Sequence, residues 1–442
     1  MRLDVWLDGA HQPVGTLESF DSGSVDFRYS DTYLANPALP LSQSLPLQAD
    51  GFGDVLTRAF FDNLLPENDQ TRLLIDRQGI SRDDVVGILY HLGADCSGAI
   101  SCLPEGSAPV KVPGDLSADY EALTPDGLTD IMVSLAEFQR LPDATKDPSP
   151  LAGVQGKMAL TLLQDGRLAV PATDKKVPST HILKVPARAD QSDVDHEWAA
   201  CVLMSQLGLD TSMPRRLNQS GVKGLLITRF DRWNADGFVR RLHQEDFAQA
   251  LGLPRGLKYE RQGRDGRAFN AQAVEGLLNC TRNPAADKRL FMLATLVNLA
   301  LGNNDNHAKN HALLYVAADV PVLAPFYDIL PVRLNDRHTE QLAFNLGIAK
   351  TLEDVTGTDV EAFFATFGIE GSRYRRFLDT AVKPLLNQLD VFAEGLIRQN
   401  MKGFDDLIGG NLRHLADALS LPLEVRERDL FVARGGGWLS GS

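Results

Sequence analysis

Cysteine is scarce in this chain. Four residues in 442, Cys96, Cys102, Cys201 and Cys280, lie far apart with no Cys-x-x-Cys pair. That argues against a cysteine-built zinc site and fits reduced thiols in a cytoplasm. Long apolar runs are also missing. No segment approaches the roughly eighteen uncharged apolar residues of a membrane span, and Met1-Arg2-Leu3-Asp4-Val5-Trp6 carries no apolar leader core. Neither secretion nor a span is expected, and the expected location is cytoplasmic. Positive charge is in deficit: 44 Lys and Arg against 58 Asp and Glu give a net charge of -14. Such a balance favours solubility and disfavours broad nonspecific binding to nucleic acid. Basic residues do cluster at Arg215-Arg216, Arg229 to Arg241 and Arg255 to Arg267, either as a smaller phosphate-facing surface or as ordinary solvated faces. There is no internal repeat and no sustained heptad. Gly-x-Ser-x-Gly and His-Glu-x-x-His are absent, so serine-hydrolase and zinc-protease chemistry have no support.

What is present is an ordinary globular composition, 44% hydrophobic and 23% charged, on a chain too long for one core. Residues 1 to about 30 alternate apolar and polar around Asp8-Gly9, as a hairpin would. Ala59 to Pro66 and Asp83 to Leu92 read as helices. Residues 106 to 118, with Gly106, Pro109, Pro113 and Gly114, read as a linker. A helix is expected over Asp126 to Arg140. Met158 to Val170 forms a hairpin about Asp165-Gly166. Strand Thr180 to Val185, helix Asp193 to Gly208 and strand Val222 to Phe230 follow. From about residue 243 the pattern is mostly helical, and the nearly all-apolar Lys288 to Leu301 is its clearest helix. The expected units are 1–107, 108–232 and 233–442.

That last helix runs into Gly302-Asn303-Asn304-Asp305-Asn306-His307-Ala308-Lys309-Asn310, and Phe326-Tyr327-Asp328 follows after a short apolar run. Phosphoryl transfer needs one carboxylate to orient and deprotonate the attacking hydroxyl. It also needs a carboxamide and a second carboxylate to hold Mg²⁺ on the ATP phosphates. Asp305, Asn310 and Asp328 supply that set at the Asp-x-x-x-x-Asn spacing of a kinase catalytic loop, though without the preceding His-Arg, and with Asp-Ile-Leu in place of Asp-Phe-Gly. The competing reading is a polar turn.

Lys184 near a strand end and Glu197 on the next helix, with Asp195 its nearby competitor, fit the phosphate-binding cation and the carboxylate that holds it; a snorkelling surface lysine is the alternative. Gly153-Val154-Gln155-Gly156-Lys157 lacks Walker A spacing, but as a glycine turn it offers backbone N–H groups to phosphates. His307 and His311 stand at i, i+4, so a metal hydrolase is a formal alternative; Asn310 between them suits Mg²⁺ better than Zn²⁺.

Several blocks in order carry a resemblance. In the first unit they are Pro40-Leu41-Ser42-Gln43-Ser44-Leu45-Pro46-Leu47, Phe60-Phe61-Asp62-Asn63-Leu64-Leu65-Pro66 and Gly98-Ala99-Ile100. Further on they are Ala152 to Lys157, Thr180-His181-Ile182-Leu183-Lys184, Arg229-Phe230-Asp231-Arg232, Gln244-Glu245-Asp246, Asp305-x-His307-Ala308-Lys309-Asn310 and Phe326-Tyr327-Asp328-Ile329. Over essentially its whole length the chain resembles the HipA-type serine/threonine kinases, toxin components of bacterial HipBA toxin–antitoxin pairs. The resemblance implies an α+β, protein-kinase-like two-lobed fold with an extra N-terminal mixed α/β subdomain and a mostly helical C-terminal lobe. It implies Asp305 as catalytic base, Asn310 and Asp328 as Mg²⁺ ligands, and Lys184 on the ATP phosphates. Ala152, Gly153, Val154, Gln155, Gly156 and Lys157 would form the nucleotide loop. Thr228, Arg229 and Phe230 would be the hinge, and Glu197, His307 and Lys309 would lie around the nucleotide. Thr228 departs from the acidic residue usual there.

The implied substrate class is an aminoacyl-tRNA synthetase, typically glutamate–tRNA ligase. The implied partner is a HipB-type DNA-binding antitoxin, through which operator DNA is reached and repression shared; no membrane is involved. A catalytically silent corepressor and a small-molecule phosphotransferase are the rivals. Where the family self-phosphorylates a serine before the nucleotide loop, this chain has Pro150, and Ser149 is the adjacent regulatory candidate.

Overall fold

Leu3, Val5 and Leu7 alternate with Asp4 and Trp6, the pattern of a strand with one buried face. In the computed structural model β1 (Arg2–Leu7) buries those three side chains. It pairs antiparallel with β2 (Gly15–Ser19) and β4 (Ile100–Pro104), and β3 (Val25–Tyr29) completes the order β3-β2-β1-β4. The registers Leu3↔Leu17 and Leu7↔Ile100 keep the apolar sets together. Helices Gly53–Asp62 and Val85–Leu92 add Phe60, Phe61 and Ile88 to the same core. Asp8-Gly9 does turn, but it opens a longer connection, since β2 begins only at Gly15. The residues described are 1–36, 39–65, 78–109, 111–142, 145, 156–316, 320–335, 337 and 339–428.

The segment expected as a linker is stitched into the structure. β5 (Gly114–Asp115) pairs with β13 (Phe238–Arg241) through Phe238↔Asp115, and β13 forms a hairpin with β12 (Arg232–Ala235). Prolines and glycines in 106–118 shorten the strand without abolishing its pairing.

A six-stranded antiparallel sheet has the order β10-β11-β9-β7-β8-β6. Its members are β6 (Tyr120–Ala122), β7 (Gly156–Leu162), β8 (Leu168–Pro171), β9 (His181–Val185), β10 (Pro214–Gln219) and β11 (Val222–Thr228). Helix Pro125–Phe138 starts where Thr124 accepts a hydrogen bond from the Gly127 N–H, with proline at its first position. Its Ile131, Met132 and Leu135 pack with Leu160, Leu183 and Leu226 of the sheet. Helix Asp193–Gln206 turns Ala199, Ala200, Leu203 and Met204 into the largest core.

Beyond residue 243 the chain is mainly helical, as its periodicity predicts, but short strands interrupt it. They are β14 (His243–Asp246), β15 (Ala312–Tyr315), β16 (Val322–Leu323), β17 (Gln341–Leu346) and β18 (Ala349–Thr351). Helix Pro284–Leu301 is buried on every side from Phe291 to Leu301 and ends at Gly302. Gly302 has φ +77, and a Cβ there would lie 2.8 Å from Leu407 Cδ2, so glycine makes this turn into the Asp305 loop without strain.

Candidate active site

A cleft of about 500 Å³ opens between the six-stranded sheet and the helical part. Both sides supply polar groups. Lys184 on β9 stands opposite Lys157 on β7 in register, and opposed residues of an antiparallel pair share a face. Lys184 is buried, and its Nζ donates to Glu197 Oε2 at 2.6 Å and to Asp328 Oδ1 at 2.5 Å. Burial alone would push the ammonium toward neutrality. The Asp328 and Glu197 carboxylates more than offset this and hold Lys184 protonated well above its usual range. Burial likewise opposes a charge on Asp328, but Lys184, and then Lys157, keep its carboxyl well below the ordinary range. Glu197 is displaced upward by burial, which Lys184 only partly counters. Asp328 has φ +57, a left-handed backbone that Asp tolerates better than most residues. Its side chain keeps 40% of its exposure, whereas those of Lys184 and Glu197 keep 5% and 3%.

The Asp305 loop is fixed from within. Asn303 donates to Asn298 Oδ1 at 2.8 Å, and its own Oδ1 accepts from the Asp305 N–H at 3.3 Å. Asn310 Nδ2 donates to the Asp305 carbonyl at 2.9 Å, which leaves the amide oxygen as the end available to a hard cation. Tyr259 donates to Asp305 Oδ1 at 2.6 Å. Lys309 is buried and donates to Asn63 O and Oδ1 at 3.1 and 3.0 Å, with Asp246 Oδ2 at 3.6 Å. The N-terminal unit therefore reaches the Asp305 loop. Asn63, Lys157, Lys184, Glu197, Thr228, Arg229, Phe230, Asp305, His307, Lys309, Asn310 and Asp328 all line this one cleft.

Two expected groupings come out differently. His311 leaves the cleft for a nest of Phe247, Phe269, Phe291 and Phe326 rings, and burial depresses its pKa to about 3. It shares no site with His307, which meets Tyr259 edge-on at 5.1 Å. The metal-hydrolase alternative thus loses its paired ligands. Arg229 turns its guanidinium onto Asp231 through two bonds at 2.9 and 2.8 Å, and its N–H donates to the Thr180 carbonyl. The Thr228 carbonyl accepts from Ser212 Oγ at 2.6 Å, and Phe230 packs on Tyr327 at 5.5 Å between ring centres. Gly156 opens β7 and donates its N–H to Gln139 Oε1 at 2.8 Å. Ala152, Gly153, Val154, Gln155 and Ser149 lie outside the described residues. Tyr259 was missed as a site residue because it sits in a short loop without periodicity, and Asp246 was visible only within the Gln244-Glu245-Asp246 block. Asn63 was visible only within the Phe60 to Pro66 block.

The model of the HipA-like C-terminal domain matches residues 149–388, and that of the HipA N-terminal domain matches residues 3–103. The chain belongs to the HipA family. Among relatives, Y4mE of Sinorhizobium fredii, which carries a provisional kinase designation, is 32% identical over 422 residues, spanning 95% of this chain and 96% of its own. The serine/threonine-protein kinase toxin HipA of Shewanella oneidensis is 29% identical over 75% of each chain. A solved complex of Shewanella oneidensis HipA and HipB with operator DNA contains a chain that superposes with a TM-score of 0.77. It is 24% identical and covers 95% of this chain and 98% of that one. This likeness shows the fold: the HipA-family chain is α+β with a kinase-like two-lobed arrangement, an N-terminal mixed unit and a helical C-terminal lobe. Its described residues contain no helix long and apolar enough to cross a membrane.

The donor set suits one kind of metal. Among the described residues no three His, Cys, Asp or Glu side chains converge as a metal cage. Mg²⁺ needs none, because it takes one or two protein oxygens and completes its shell with phosphates and water. The half-exposed Asp328 carboxylate and the oriented Asn310 amide oxygen fit that requirement.

Proposed function

We propose that this protein is a Mg·ATP-dependent serine/threonine protein kinase and the toxin of a toxin–antitoxin pair. The observation that carries the reading is the buried Lys184–Glu197 pair facing Asp328 in the cleft that also holds Asp305 and Asn310. A plain surface lysine would have been exposed, and a plain polar turn would not have faced a buried cation.

Bound Mg·ATP supplies the transferable phosphoryl group, with Asn310 and Asp328 holding the metal. Lys184, kept protonated and immobilised by Glu197, offers its charge to the phosphates. Asp305 orients the acceptor hydroxyl and takes its proton. Lys157, paired with Lys184 across β7 and β9, adds a second cation on the phosphate side, and Thr228 to Phe230 form the hinge. Arg229 contributes backbone there, its guanidinium being committed to Asp231.

By kinship with the Shewanella protein, the partner is a HipB-type antitoxin that carries the pair to operator DNA. The substrate is an aminoacyl-tRNA synthetase, glutamate–tRNA ligase being the first to try, and its phosphorylation stalls translation. The test is to incubate the purified protein with γ-labelled ATP, Mg²⁺ and lysate, identify the labelled band, and repeat with Asp305→Ala. Labelling and growth arrest should fall by about 10²- to 10⁴-fold with the fold intact. Unchanged growth arrest by the variant would overturn the mechanism.

A further inference from the structure

Tyr259 stands at the centre of a braced turn. Its ring lies under the Arg261 guanidinium, 3.9 Å from the ring centre, with Lys258 Nζ at 5.6 Å, and it stands T-shaped to the His307 ring at 5.1 Å. The backbone beside it is tied down: the Lys258 carbonyl accepts from the Ala308 N–H at 3.1 Å. Glu260 Oε2 accepts from the Asn345 N–H at 2.6 Å, and Arg261 Nη1 donates to the Leu342 carbonyl at 3.3 Å. The phenol held by this frame donates to Asp305 Oδ1 at 2.6 Å.

We propose that Tyr259 is a positioning residue for Asp305, an inference that rests on the kinase reading above. A carboxylate on a loop rotates about its last bond and presents either oxygen. A hydroxyl fixed on Oδ1 removes that freedom and leaves Oδ2 as the oxygen turned to the acceptor, so the acceptor proton goes to Oδ2 as the new P–O bond forms and the bond to ADP breaks. The contacts that Arg261, Lys258 and His307 make on the ring are the clamp this role needs. A phenol that merely filled the acceptor's place would have to leave at each turnover, and the backbone ties oppose that. Pre-placed catalytic groups of this kind act on turnover more than on nucleotide binding.

The decisive variant is Tyr259→Phe, which keeps the ring between Arg261 and His307 and deletes only the hydroxyl. Measured on the full chain with Mg·ATP and the labelled acceptor, kcat should fall about tenfold or more. KM for ATP should stay within about twofold, and the thermal midpoint should be unchanged. Tyr259→Ala should fall further in kcat, because the clamp goes too. Wild-type kcat in the phenylalanine variant overturns the proposal. So does a joint change of kcat, KM for ATP and melting, which marks a structural role. Phosphate found on Tyr259 of wild-type protein after incubation with Mg·ATP also overturns it, since the phenol would then be an acceptor. A wild-type protein that transfers no phosphate at all would sink the kinase reading itself, and the positioning role with it.

Discussion

Two of the buried charge clusters among the described residues are built to opposite ends. The cleft cluster sets Lys184 between Glu197 and Asp328, and the Asp328 side chain remains 40% exposed. The other cluster joins the N-terminal unit to the segment after the hinge. Asp95 meets Lys111 at 3.3 Å and Arg241 at 3.4 Å; Arg241 also holds Asp8 at 2.5 Å. Asp231 meets Arg229 at 2.8 Å and Arg232 at 2.7 Å and accepts the Gly98 N–H at 3.0 Å. Asp95 and Asp231 are both buried, and in each the neighbouring cations outweigh the burial that opposes their charge, so both carboxyls titrate far below the usual range. The sealed cluster keeps Asp95, Lys111 and Arg241 inside, only the nearly buried Arg229 and Asp231 side chains reach the cleft wall, and it serves cohesion. The open one leaves a charged oxygen at the cleft, where a cation and phosphates can exchange with its internal partner. Burial of charge is common to both; the exposed carboxylate separates a site from a strut.

Breaking the open cluster should give the largest effect on activity and a small one on folding. Asp328→Ala removes the oxygen proposed to hold Mg²⁺ and one partner of Lys184 but leaves the Glu197 pair intact. Single-turnover transfer from γ-labelled ATP should drop on the order of 10³-fold, with the melting transition close to wild type. A variant that keeps wild-type turnover would show that this side chain holds no metal.

Breaking the sealed cluster should reverse the pattern. Asp95→Ala leaves Lys111 and Arg241 buried beside an empty space, and removing one partner of such a network costs about 3–5 kcal/mol. Urea titration should show that loss in unfolding free energy, while the folded fraction keeps its affinity for ATP. Little change in stability would mean that water reaches the cluster and that it is no strut.

Much of this was legible in the sequence, for identifiable reasons. Lys288 to Leu301 announces its helix because it is apolar on every side, and Asp305, Asn310 and Asp328 follow it at short, fixed distances. The hairpin at Asp165-Gly166 could be read because apolar runs flank it. The Asp236-Gly237 hairpin has the same turn chemistry, with φ of +54 and +84, yet escaped notice because Arg232-Trp233-Asn234 and Arg240-Arg241 mask the strand pattern. β15 is buried at all four residues and shows no alternation to detect. The direction of a guanidinium is not a matter of period at all: Arg229 sits at the expected hinge but spends its side chain on Asp231. Tyr259 lies between two single-turn 3₁₀ segments, where only the folded chain brings it to Asp305.

Another buried carboxylate sharpens the comparison by replacing cations with neutral donors. Glu245, next to the Asp246 that faces Lys309, accepts from Ser42 Oγ, from the Gln43 N–H at 3.1 Å and from the Tyr315 hydroxyl at 2.7 Å. Burial pushes its pKa from 4.5 up to about 7, and these hydrogen bonds only moderate the shift. The folded chain thus binds this proton more tightly than the unfolded chain, so the contribution favours folding below pH 4.5 and is lost as pH rises through about 7. At about 1.4 kcal/mol per pH unit, that interval is worth on the order of 3 kcal/mol. Glu245→Gln keeps the shape and a carbonyl oxygen for Gln43 and Tyr315 but cannot ionise. Its unfolding free energy should match wild type near pH 5 and exceed it by up to about 3 kcal/mol at pH 8, read by urea titration across that range. If wild type and variant show the same slope between pH 5 and 8, Glu245 does not ionise there, and the Ser42–Glu245 junction between the N-terminal unit and β14 is insensitive to pH.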